Sequence, residues 1–117
     1  MLSYATATTM QSILTDAIES GTGQLAKVQG LTVAGKTGTA QKLEPSGRYS
    51  HSRYVASFVG FGPVPDSRIV ITVSMDEPRT TYFGGTVSAP MFRRIIEQLA
   101  AYWGLERHAP AQVARAS

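Results

Sequence analysis

The spacing of apolar residues changes period twice along this 117-residue chain, from helical to extended and back, and that order implies an α/β (α+β) unit with a helix at each end. Near the start, Met10, Ile13, Leu14, Ala17 and Ile18 recur at the spacing of one helix face, which predicts a helix over 6–19, buried along that face and stopped by Gly21. Gly21-Thr22-Gly23 then breaks the chain. The stretch Val33 to Lys42 is rich in Thr and small residues, and Pro45 closes off any long helix, so a strand is expected over 31–41. Residues 43–53 are polar, contain Pro45 and Gly47, and read as a mobile hairpin connection to a second strand over 54–61. In a third strand, over 68–76, Ile69, Ile71, Val73 and Met75 alternate with Val70, Thr72, Ser74 and Asp76. Pro63 to Ser67 supply the turn before it, so three consecutive antiparallel strands are expected. After a break at Gly84-Gly85, Ser88 is placed to cap a helix with Pro90 in its first turn. Phe92, Ile95, Ile96, Leu99 and Trp103 give that helix an apolar stripe to lay on the sheet, and Gly104 ends it. Residues 1–104 thus read as one structural unit and 105–117, aperiodic and rich in Ala, as a tail.

Composition narrows the function classes. With 43% hydrophobic residues the chain can bury one modest core. The net charge is +3, but the basic residues are scattered and only Arg93 and Arg94 are adjacent, so no nucleic-acid stripe is visible and no nucleic-acid partner is expected. No run approaches a membrane span, and residues 1–10 lack the basic and apolar regions of a secretion signal, so the chain itself reads as soluble and untargeted. The absence of cysteine excludes disulfides and thiolate metal sites. His51 and His108 lie far apart, with no ligand-spaced companion, so neither a metal nor another cofactor is expected.

The chemistry concentrates in Val33-Ala34-Gly35-Lys36-Thr37-Gly38-Thr39-Ala40-Gln41. On a strand, Gly35 and Gly38 let another backbone approach, Lys36 brings a positive charge, and the Thr37 and Thr39 hydroxyls can grip a carboxylate. At contact distance and an effective dielectric of ~20 such a charge pair has about 4 kcal/mol of Coulomb energy before desolvation. The same residues also fit a phosphate-binding loop, since Gly30 to Thr37 match G-x-x-x-x-G-K-T and Asp76-Glu77 could serve as the acidic strand end. That loop must pass straight into a helix, and Gly38, Thr39 and Pro45 form a poor one, while Leu31 to Ala34 look like strand. A helix starting at Lys36 would distinguish the two.

Five segments in register resemble class B penicillin-binding proteins of the cell-division type. They are Gly21-Thr22-Gly23, the 33–41 stretch, Arg53-Tyr54-Val55-Ala56-Ser57-Phe58-Val59-Gly60-Phe61, Asp76-Glu77-Pro78, and Gly84-Gly85-Thr86-Val87-Ser88-Ala89-Pro90-Met91-Phe92. The resemblance implies the last three strands and final helix of a D,D-transpeptidase domain, an incomplete piece of the fold shared with serine β-lactamases. Serine β-lactamases carry K-T-G as well, but the Asp76-Glu77-Pro78 and Gly84-Gly85-Thr86 elements are closer to the transpeptidases. By the same resemblance Lys36 polarises the site, Thr37, Gly38 and Thr39 hold the substrate or a β-lactam carboxylate, and the Thr39 N–H is an oxyanion-hole donor. Tyr82 and Phe83 stand where relatives place an aromatic wall, although Tyr82 fits an ordinary loop aromatic equally well. The implied partners are a peptidoglycan stem peptide ending in D-Ala-D-Ala and β-lactams. The implied location is the periplasmic side of the inner membrane.

Two parts of the expected machinery are absent from these residues. No serine has a lysine three residues on, and without any asparagine an S-x-N element cannot exist. The chain alone is therefore expected to be inactive and to need the N-terminal part of the transpeptidase domain, which leaves a purely structural module completed by a partner chain as another reading. The strand over 68–76, left without its neighbour, would present Ile69, Ile71, Val73 and Met75 beside unpaired backbone groups and favour a homo-oligomer.

Overall fold

Ser3 starts the first helix. Its hydroxyl oxygen accepts from the Thr6 N–H at 3.1 Å, and α1 runs Tyr4–Glu19 in the computed structural model, which describes residues 1–79, 81 and 83–104. A single 3-10 turn, Gln24–Ala26, leads through a tight turn at Gly30 (φ 81°) into the strands β1 (Ala34–Leu43), β2 (Tyr49–Gly62) and β3 (Ile69–Asp76). Each pairs antiparallel with the next, in the order β1-β2-β3, so the expected α+β layout is present. A short helix α2 (Gly84–Val87) runs into α3 (Ala89–Tyr102). The tail expected at 105–117 lies outside the described residues.

The core forms between one face of the sheet and α3. Phe58 and Phe92, both fully buried, meet with ring centroids 4.8 Å apart. Glycines make that approach fit: a Cβ at Gly60 would stand 2.5 Å from the Phe92 ring, and one at Gly35 would stand 2.7 Å from the Phe58 ring. Ile18, Val33, Val73 and Ile96 are among the other members of the buried cluster, with Ile71 and Met75 packed against it. The bare apolar row expected on β3 is therefore covered by the core, and the apolar residue on the outward face, beside Thr72, Ser74 and Asp76, is Val70, 73% exposed.

Other expectations change for local physical reasons. α1 buries only Ile18, while Met10 and Ile13 are exposed, because little of this chain lies over the rest of its apolar face. That face borders a groove of about 670 Å³ lined by Leu2, Met10, Leu14, Phe61 and Pro65. Residues 49–53, expected in a mobile connection, extend β2: the buried Ser50 hydroxyl accepts from the N–H groups of Ser52 and Arg53, and the turn tightens to Glu44–Arg48 around Gly47 (φ 85°). Leu31 and Val33 are buried but precede β1, which starts at Ala34. Ser88 stands at the start of α3 without making a side-chain cap, since its buried hydroxyl donates to Ala56 O at 2.9 Å. Trp103, placed in the apolar stripe by sequence, sits past the end of α3 and is 53% exposed.

Candidate active site

Chain parity sets the site. Tyr54 O accepts from the Glu77 N–H at 2.9 Å, which turns every second residue of β2, from Tyr54 on, toward β3. Ser57 therefore faces β1 and pairs with Gly38. The N–H and C=O groups of Thr37 and Thr39 consequently point out of the edge of β1 that has no strand beside it among the described residues. Lys36 uses that edge: consecutive strand side chains leave on opposite faces, yet its tail bends back so that Nζ donates to Thr37 O at 3.2 Å and Thr37 Oγ1 at 3.1 Å. The ammonium thus stands beside the outward-facing backbone groups of β1.

On the other side of the strand, α2 lies directly over β1. A Cβ at Gly84 would collide with Ser57 O and Gly38 O, so only glycine fits there. The same closeness lets the Gly84 N–H donate to Thr39 Oγ1 at 3.2 Å. Gly84-Gly85, read as a break from sequence, is therefore the first turn of a helix held against the site strand. Thr22, from the Gly21-Thr22-Gly23 turn, brings its hydroxyl to 3.1 Å from Thr37 Oγ1. Thr22, Leu25, Thr37, Thr39, Phe83 and Gly84 are among the residues that line a cleft of about 360 Å³, and Phe83 is 56% exposed there. Tyr82 lies outside the described residues. Thr22 and Gly84 escaped the sequence reading as site residues, since each carries its signal only through a contact with β1.

At the far end of the site strand, Lys42 Nζ meets Asp76 Oδ1 at 2.9 Å and Glu77 Oε2 at 3.4 Å, and Arg53 approaches Glu44 and Glu77 at 4.0 Å each. The Asp76 hydrogen bond, against a smaller desolvation effect, raises the Lys42 pKa above its ordinary 10.5. Glu77, at φ 50°, is where the chain leaves β3 toward Phe83. Lys42 therefore ties the end of β1 to the start of that connection. Lys36 lies inside strand β1 and starts no helix, so the phosphate-loop reading fails on its own criterion. Among the described residues no group of acidic and histidine side chains could hold a metal ion, and no helix is long and apolar enough to cross a membrane.

Residues 2–97 match the family model described as the penicillin binding protein transpeptidase domain. The chain belongs to that family. Within it, stage V sporulation protein D of Bacillus subtilis is 40% identical over 97 residues, which is 82% of this chain and 15% of that protein. A probable peptidoglycan D,D-transpeptidase, PenA, of Neisseria gonorrhoeae is 38% identical over 94 residues, 79% of this chain and 16% of that one. Among solved structures, the transpeptidase domain of Burkholderia pseudomallei penicillin-binding protein 3 is 40% identical with a TM-score of 0.76, covering 86% of this chain and 30% of that chain. Penicillin-binding protein 3 of Mycobacterium tuberculosis in complex with ampicillin gives a TM-score of 0.83 at 31% identity, covering 94% and 26%. The class B resemblance read from the five segments is borne out. The chain spans about one sixth of the length of these two curated relatives.

Proposed function

We propose that this chain supplies the substrate-binding strand of a peptidoglycan D,D-transpeptidase that works in cell-wall synthesis and division on the periplasmic side of the inner membrane. The observation that carries the reading is the grouping of a lysine ammonium, two threonine hydroxyls and outward-facing backbone N–H groups along one open strand edge. In the complete enzyme a serine from the upstream part of the domain attacks the penultimate D-Ala carbonyl of a stem peptide. D-Ala leaves, and the acyl group then passes to an amine. Lys36 provides positive charge beside the reacting groups, Thr37 and Thr39 donate to the substrate carboxylate across the backbone gap left by Gly38, and the Thr39 N–H stabilises the oxyanion. One such donor is worth roughly 3 to 4 kcal/mol in the transition state. Phe83, with Tyr82 beside it in sequence, flanks the ligand. A β-lactam acylates the same serine, in keeping with the ampicillin and aztreonam complexes of the M. tuberculosis relative.

The test is a domain exchange. Residues 2–97 replace the matching segment of the B. pseudomallei transpeptidase domain, and acylation by a fluorescent penicillin is followed with and without Lys36→Ala. Acylation that falls at least about a hundredfold with the substitution supports the reading, since that is the typical loss for one transition-state contact of this kind. A hybrid that folds and acylates equally well without Lys36 rejects it.

A further inference from the structure

Thr22 lies outside the 33–41 stretch, yet its hydroxyl ends a continuous hydrogen-bonded row, Lys36 Nζ to Thr37 Oγ1 to Thr22 Oγ1, with both steps 3.1 Å. We propose that Thr22 is a positioning residue that acts through Thr37, setting the direction of the Thr37 hydroxyl proton and so the preference of the site for ligands bearing a carboxylate. The inference rests on the transpeptidase reading above and concerns how its anion grip is built.

The argument is one of donor and acceptor capacity. A hydroxyl has one proton and two lone pairs, and an ammonium can only donate. Thr37 Oγ1 therefore accepts from Lys36, keeping one lone pair and its own proton. Two arrangements then satisfy the Thr22 contact: Thr37 gives its proton to Thr22, or Thr22 gives its proton to the second lone pair of Thr37. A carboxylate accepts only, so its arrival in the cleft selects the second arrangement. Thr37 then accepts twice and donates once, to the ligand, and a donor polarised in this way forms the stronger bond. Thr39 has the same design on its side, where the Gly84 N–H occupies one lone pair and leaves the hydroxyl proton for the cleft. Thr22 is held in place for this role, because a Cβ on Gly85 would stand 2.5 Å from Thr22 O and the helix α2 therefore packs against its backbone. The side chain itself is exposed and lines the same cleft as Thr37 and Thr39, as a group that meets the ligand pocket should.

The experiment uses the complete hybrid domain and compares acylation by benzylpenicillin with acylation by its methyl ester, which lacks the anion. Thr22→Val keeps the shape and removes the hydroxyl, and it should lower the ratio of the two acylation efficiencies by roughly three- to tenfold, the range expected for one hydrogen bond. Thr22→Ser should restore the ratio. Equal losses on acid and ester, or an unchanged ratio in a variant whose melting temperature matches the parent, would overturn the role of Thr22 while leaving the transpeptidase reading intact. A hybrid with its native Thr22 that folds and is acylated by neither compound would overturn the transpeptidase reading, and this inference with it.

Discussion

Both long helices of this chain have an apolar stripe, and they meet different fates. α3 lays Phe92, Ile96 and Ala100 on the sheet, each at most 2% exposed. α1 buries Ile18 alone, leaving Met10 41% and Ile13 52% exposed. Hydrophobic periodicity states that a face wants a partner, and it says nothing about whether the partner is in the same stretch of sequence. The two edges of the sheet teach the same lesson. Each outer strand has one edge with no strand beside it among the described residues, but β1 gathers charge and hydroxyls along that edge while β3 offers the plain backbone beside Val70.

The contrast between the helices can be broken most sharply at the core. Phe92→Ala should remove about 3 to 5 kcal/mol, enough to abolish cooperative urea unfolding in a unit this small. A loss below about 1 kcal/mol would mean that α3 does not hold the sheet. Gly60→Ala, which pushes a methyl group into the Phe92 ring, should cost roughly 1 to 3 kcal/mol by the same measurement. On the other helix, Ile13→Ala should change stability by less than about 0.5 kcal/mol in this chain, as exposed positions do, and by several times more in the hybrid domain. A large cost in the chain alone would show that α1 is already covered, by a second copy for example.

The edges give two smaller effects. Light scattering should find dimers or larger assemblies, and Val70→Lys should shift them to monomer by charging the free edge of β3. A clean monomer before substitution would contradict pairing at that edge. Lys42 gives the smallest effect, through pH. Its pKa is raised on folding, so its contribution is fully present below the unfolded value of 10.5 and is lost as pH rises through the folded value. The stability difference between the chain and Lys42→Met should therefore be flat through neutral pH and close above 10.5. A difference that grows with pH would assign the Lys42 contacts no role.

The sheet was legible in sequence because its signals are local. Ile69, Ile71, Val73 and Met75 alternate on one strand, and their face is the one that packs into the core. Lys36, Thr37 and Thr39 were legible for the same reason, since one strand carries all of them. What could not be read depends on contacts between distant segments. Gly84-Gly85 has poor helix propensity and became helical because the missing Cβ atoms admit the backbone of Gly38 and the Thr22 carbonyl. Ser88 looked like a cap until Ala56 O offered its hydroxyl a buried partner. Thr22 lay in a turn that read as a chain break and as one segment of the family resemblance, with nothing to join it to the site strand, and its relation to Thr37 crosses 15 positions.

The central claim is that this chain provides the substrate strand and another stretch of polypeptide provides the nucleophile. Intact-mass analysis after incubation with penicillin tests it directly, once on this chain alone and once on its mixture with a separately produced upstream segment bearing S-x-x-K. The account predicts an adduct on the upstream segment that forms only in the mixture. An adduct on this chain by itself, or none in the mixture, would contradict it.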